Sequence, residues 1–99
     1  MLYNYFVYIT TNEKKTVLYV GVTNNIQSRL AEHYFDSQNL KKSFAGRYNC
    51  YYLIFYEGYE SSKIAIDREK EIKRWRREKK ERLINSMNPN WEFLNNQVI

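Results

Sequence analysis

One cysteine, one proline, three glycines and one histidine are spread through 99 residues, and each scarcity removes a class of protein. The lone Cys50 cannot close an internal disulfide, and no CxxC pair or Cys/His cluster supplies the spacing of a structural zinc site. That usage suits a reducing, cytoplasmic setting. The longest uninterrupted apolar run, Cys50 to Tyr56, is far shorter than the roughly 20 residues that span a bilayer. The N-terminus lacks the basic region and apolar core of a secretory signal, so the chain is expected to be soluble and unprocessed, with no membrane partner. Domain linkers, internal repeats and low-complexity tracts are also missing. A chain of this length is expected to form one domain, residues 1–99, around one modest core, because small domains bury only about 60–68% of their unfolded surface.

What charge there is lies in one place. The formal net charge is +5, and the window from Arg68 to Arg82 alone carries nine Lys and Arg against Glu69, Glu71, Glu78 and Glu81. The remainder is close to neutral, so attraction for an anionic partner is concentrated on one segment, with nucleic acid the first candidate. The alternative is a solvated helix face laced by i,i+4 ion pairs such as Glu69 with Lys73 and Glu78 with Arg82.

Tyr3 to Thr10 and Thr16 to Val22 are aromatic and β-branched around a polar stretch, which predicts a hairpin. A loop centred between Glu13 and Lys14 would set Tyr8 opposite Tyr19 and Ile9 opposite Leu18, on shared sheet faces. Gly21 follows, where the backbone can bend or a ligand approach closely. Thr23 or Asn24 is expected to cap a helix from Asn25 to Phe35, whose stripe of Ile26, Leu30, His33 and Tyr34 has helical spacing. Arg29 and His33, one turn apart beside that stripe, would reach the tyrosine face. Asp36 to Asn49 reads as a loop with at most a short helical turn. Tyr51 to Tyr56, with little alternation, is expected to be a central strand ended by Gly58. A long helix is predicted from about Ser62 to Ser86, capped by Ser61 or Ser62, with Ile64, Ala65, Ile72, Trp75, Leu83 and Ile84 along its apolar side. Glu69 lies beside that stripe and points towards the sheet. Arg68 falls within the arc, where it can bury its stem and pair with a carboxylate. Pro89 stops the helix, and Trp91, Phe93 and Leu94 are expected to fold back onto the core. The fold class is α+β: a small three-stranded antiparallel sheet flanked by helices in the order β-β-α-β-α, with a C-terminal tail.

The ordered set resembles the GIY-YIG nuclease superfamily, and in particular its small stand-alone bacterial members related to the N-terminal catalytic domain of an excinuclease. Phe6-Val7-Tyr8 stands at the GIY position and Tyr19-Val20-Gly21 at YIG. Gly21 to Asn24 continues as in that family, and Arg29 and His33 match its Arg-x-x-x-His helix. Arg68-Glu69-Lys70 with Ile72 to Trp75 resembles the later family helix, with Glu69 where a metal-binding glutamate is placed. Phe6 departs from the motif's glycine. The family's further asparagine is assigned to Asn88, with Asn90 as the alternative.

The resemblance implies a metal-dependent endonuclease that hydrolyses phosphodiester bonds, with DNA ahead of RNA as substrate and a structure-selective role in DNA repair or recombination. Glu69 would anchor one Mg2+ or Mn2+, since hard divalent ions are often held by one carboxylate plus water and phosphate oxygens. Arg29 offers a planar fork of donors to phosphate. One of Tyr8 and Tyr19 would act as base or position the water while the other supports it. His33 would hydrogen-bond a tyrosine or carry a proton. Gly21 supports the backbone, and Lys73, Arg74, Arg76, Arg77 and Lys80 are the candidate nucleic-acid contacts. A small domain also leaves room for a protein partner in targeting. The competing function is a nucleic-acid-binding module with little or no catalysis, and a protein-interaction scaffold is the third.

Overall fold

A computed structural model describes residues 3–39 and 44–98. Strands β1 (Tyr5–Thr11), β2 (Leu18–Thr23) and β3 (Tyr52–Tyr59) form one antiparallel sheet in the order β2-β1-β3. Helix α1 (Ile26–Gln38) and a short α2 (Phe44–Arg47) lie between β2 and β3. Helices α3 (Ser62–Arg74) and α4 (Arg77–Met87) follow, and the tail ends in a 3₁₀ turn, Asn95–Val98. The expected α+β order is therefore observed. Of the stretch read as a loop, residues 40–43 lie outside the described residues, while α1 runs on to Gln38 and α2 supplies the helical turn.

Alternation along β1 divides the interior in two. Val7 and Ile9 point one way, into a core with Val20, Ile54, Phe55, Ala65, Ile72 and Ile84. Tyr8 points the other way and packs with Ile26, Leu30, Leu53 and Leu94. Thus α3 and α4 cover one face, and α1 with the tail covers the other.

The hairpin register differs from the expected one. Tyr8 pairs with Gly21 and Tyr19 with Thr10, because β1 continues to Thr11 before the chain turns. The Asn12 side chain builds that turn: its Oδ1 accepts from the backbone N–H groups of Thr16 (2.8 Å) and Val17 (3.2 Å), and its Nδ2 donates to Thr16 Oγ1 (2.8 Å). Lys15 takes the left-handed conformation at φ 61° to complete it. The shift is two residues, which preserves face parity, so both tyrosines still share one face.

Three further expectations are corrected. The central strand is β1, and β3 is an edge. Its lack of alternation comes from cover on both faces and from a bulge: Ile9 pairs with Phe55 but Thr10 with Leu53, leaving Ile54 extra. The tail also covers its outer edge. Leu94 N–H donates to Leu53 O (2.7 Å), Asn95 Oδ1 accepts from Leu53 N–H (2.9 Å), and Asn95 Nδ2 donates to Tyr51 O (2.9 Å). Gly58 lies within β3, opposite Phe6, because the Tyr3 ring occupies the place a Cβ would take.

The long helix is broken at Trp75 and Arg76, both in extended conformation. Ile72 and Ile84, twelve residues apart, would sit about 120° apart around one continuous helix. The break turns both onto the same core. Trp75 packs against that core, with the Arg68 guanidinium 5.2 Å and Lys79 Nζ 4.4 Å from its ring. Ser61 is the cap of α3, its hydroxyl accepting from Ile64 N–H at 3.4 Å. Arg68 resolves as anticipated: Nε donates to Glu57 at 2.7 Å and Nη1 to Glu71 at 3.0 Å. Of the two anticipated helix ion pairs, Glu69–Lys73 forms, whereas Arg77 with Glu81 replaces Glu78 with Arg82 among the described residues.

Asn88 closes the fold. Its Nδ2 donates to Ile54 O (2.9 Å) and Glu92 O (2.8 Å), and its Oδ1 accepts from Glu92 N–H (3.0 Å). Asn88→Ala should therefore cost about 2 kcal/mol by stranding buried backbone groups. Urea unfolding would measure this, and a loss below about 0.5 kcal/mol would show that the tail docks without it.

Candidate active site

Tyr8 is fully buried, and its ring lies over Gly21, so that a Cβ built on Gly21 would overlap the ring and hydroxyl. The close approach is the reason for glycine here. Helix α1 brings the other partners. Asn25, one residue beyond the expected cap, accepts from Ser28 N–H through Oδ1 at 3.0 Å, while Thr23 Oγ1 accepts from Asn25 N–H at 3.1 Å. That start aims Arg29 and the buried His33 at the tyrosine face.

Tyr8 Oη lies 2.9 Å from His33 Nε2, and Arg29 Nε donates to it at 3.4 Å. The Tyr19 ring sits 6.2 Å from that of Tyr8 and meets His33 edge-on at 5.2 Å. Arg29 Nη1 also donates to Glu32 at 2.9 Å. Because the Arg29 side chain is 40% exposed, its outward donors can still meet an anion. Beside it a shallow cleft of about 360 Å³ is lined by Val22, Thr23, Asn24, Asn25, Ser28, Arg29 and Glu32.

Electrostatics assign the protons. Burial pushes the Tyr8 phenol well above its ordinary range; the Arg29 hydrogen bond opposes this without overcoming it, and Tyr19 adds to the rise. Burial, then the charge on Arg29, lowers His33 to about 4. Hydrogen bonds to Tyr8 and Glu32 hold Arg29 in its charged form. At neutral pH Tyr8 is therefore protonated, His33 neutral and Arg29 cationic. Since Arg29 donates into the phenol oxygen, the phenol proton points to His33 Nε2, which leaves the imidazole proton on Nδ1.

The remaining sequence candidates divide. Glu69 is buried on the sheet-facing side of α3, the helix covering the opposite face from the Tyr8 ring, and it pairs with Lys73 at 2.7 Å. Among the described residues no hydrogen bond joins it to the tyrosine cluster, and no group of three metal-ligating side chains is present. One carboxylate, with water and phosphate filling the rest of the shell, is a set that a hard divalent ion accepts, and Glu69, paired with the half-exposed Lys73, is the acid here that would supply it. Asn88 is committed to the tail. Arg77 pairs with Glu81 (2.8 Å) and staples α4 to the hairpin by donating to Thr16 O (2.8 Å) and Lys15 O (3.2 Å). Lys80 is partly buried, with its amine pKa lowered by desolvation and then by Arg77. Arg74 and Arg76 are exposed and make no ion pair among the described residues. Glu32 was not singled out from the sequence. Its position three residues after Arg29 was the available signal.

The family model described as the GIY-YIG catalytic domain matches residues 4–82. A UPF0213 protein of Natronomonas pharaonis is 38% identical over 84 residues, covering 85% of this chain and 94% of that protein. No solved structure matches the chain significantly. Tyr8, Tyr19, Gly21, Arg29, His33 and Glu69 all fall inside the matched span, and Asn88 lies beyond it.

The neutral imidazole has a measurable consequence. With a folded pKa of about 4 against an ordinary 6.5, His33 takes up its proton more readily in the unfolded chain. Its contribution is thus complete above pH 6.5 and is lost as pH falls towards 4, a change of about 3 kcal/mol. Denaturation of wild type and His33→Gln at pH 7.5 and 4.5 isolates it. The variant should lose less stability on acidification, and equal losses would mean that His33 is not held neutral.

Proposed function

The chain belongs to the GIY-YIG family, whose catalytic domain is a nuclease domain, and we propose that it is a divalent-metal-dependent endonuclease hydrolysing phosphodiester bonds in DNA. The observation that carries this reading is the Arg29–Tyr8–His33 hydrogen-bond chain beside an open cleft. In it a permanent, partly exposed cation, a buried phenol and a neutral imidazole converge at one point.

In this mechanism Arg29 binds non-bridging phosphate oxygens, and its attraction strengthens as charge accumulates in the transition state. Tyr19, half-buried at the cluster's margin, helps hold the attacking water. The water's proton leaves through Tyr19: as the Tyr19 oxygen gains it, the Tyr19 proton passes to the buried Tyr8 behind it, and the Tyr8 proton passes to His33 Nε2. Placing a proton on an imidazole with pKa about 4 costs about 4 kcal/mol at pH 7. Leaving an anion on the buried phenol would cost more. The relay therefore ends on His33, and negative charge gathering on the phosphate offsets the penalty. Glu69 would hold Mg2+ or Mn2+, which when bound supplies Lewis-acid chemistry; it lies on the α3 side of the sheet, so no step of this mechanism is taken through it. Arg74 and Arg76 add attraction for the backbone. Because so small a domain has little surface for reading long sequences, it selects DNA structure, alone or with a protein partner, in cytoplasmic repair or recombination.

Cleavage of labelled duplex, single-stranded, flap and branched DNA and of RNA, with and without Mg2+ or Mn2+, tests this reading. Arg29→Ala and Tyr8→Phe should each slow cleavage about 10²–10³-fold. Glu69→Gln should abolish it while binding at matched salt persists. The Glu69–Lys73 pair, set on the other side of the sheet from Tyr8, favours the competing reading of a binding module. Salt-dependent binding with no metal-dependent cleavage on any substrate would establish that reading and overturn this one.

A further inference from the structure

A second cavity adjoins the cleft at Arg29 and shares Asn24 and Asn25 with it. It measures about 380 Å³ and has a different chemistry: Phe6 and Tyr56 contribute rings, Ile26 and Val98 aliphatic surface, and Gln27 and Gln97 amides. It contains no Asp, Glu, Lys, Arg or His. The sheet builds the aromatic part. Tyr56 pairs with Tyr8 and Phe6 with Gly58, which places Phe6, Tyr8 and Tyr56 on one face. Asn25 is committed to capping α1, whereas the side chains of Asn24, Gln27 and Gln97 make no hydrogen bond among the described residues.

Such a site does not attract a phosphate, for it holds no cation. It suits a flat, neutral ligand with hydrogen-bonding edges: rings accept its faces, and amides, donors and acceptors at once, read its margin. Phosphate and base are linked in one molecule, and the two cavities share a wall. Resting on the nuclease reading for the Arg29 site, we infer that the Phe6–Tyr56 pocket receives the unpaired nucleobase next to the phosphate held at Arg29. The substrate class follows. It carries at least one unstacked nucleotide beside the cleaved bond, as single strands, flaps and bulges do, and Phe6, which stands where the family motif has glycine, is a specificity residue.

The test measures binding by the full chain in EDTA, where cleavage cannot interfere. Labelled single-stranded DNA and RNA oligonucleotides are compared with versions made abasic at successive positions. Removing the base at one position should weaken binding roughly fivefold or more, the scale of a lost base–aromatic stack. The DNA and RNA arms identify which polymer supplies the base. Gln27→Ala and Gln97→Ala, both at exposed positions that line this pocket and not the Arg29 cleft, and Phe6→Leu, with folding checked by circular dichroism, should erase most of that difference while leaving abasic binding unchanged. Equal affinity for intact and abasic oligonucleotides at every position would overturn the proposal, as would variants that weaken both alike. Base-dependent binding without cleavage on any substrate would leave the pocket standing and remove the nuclease reading. Cleavage without base dependence would do the reverse.

Discussion

The buried Tyr8 ring is the contact on which the chemistry-bearing face depends. It occupies the space over Gly21 that a side chain would fill, so its hydroxyl projects towards α1 at a height fixed by the sheet. There it meets His33 at 2.9 Å and Arg29 at 3.4 Å. Without glycine at position 21 the ring would have to tilt, and the two helical partners would lose their common point. The core packing of Tyr8 with Ile26 and Leu30 then ties α1 to the same reference. One residue thus links strand geometry, helix docking and the proton chain.

Burial and Arg29 together set the electrical state of that chain. Desolvation first, and then the cation beside the imidazole, oppose a positive charge on His33, which is why it stays neutral far below its ordinary range. The same cation draws the phenol pKa down, yet burial outweighs it, so Tyr8 remains a donor. Glu32 and the Tyr8 oxygen hold the guanidinium in place from two directions. A phosphate arriving at the exposed side of Arg29 would lessen the opposition to imidazolium, coupling substrate binding to proton acceptance.

Much of this was legible in residue order. Alternation and β-branching located the hairpin, and helical spacing placed Arg29 and His33 one turn apart on the tyrosine side. What escaped was decided by single side-chain contacts. Asn12 folds onto Thr16 and Val17 and moves the hairpin register by two, a shift that face parity conceals. The Trp75 break carries neither proline nor glycine; it follows from turning Ile84 onto the core already holding Ile72. The edge position of β3 was hidden because the tail bonds its outer edge at Tyr51 and Leu53 and both faces of Leu53 to Phe55 are buried. Asn88 looked available to chemistry, but all its polar atoms serve the backbone.

The sheet also separates two demands that conflict in so small a domain. The α3–α4 face carries the aliphatic core, where Val7, Ile9, Ile54, Ile72 and Ile84 need close packing and no water. The α1 face is aromatic and polar, with a solvent-reaching guanidinium and two adjoining cavities. Glu69 is the exception. It is an acid on the apolar side, nearly buried. A carboxylate at that position costs stability unless paired, and Lys73 one turn along the same helix supplies the partner at 2.7 Å, so the charge is balanced at the helix surface without opening the aliphatic core to water.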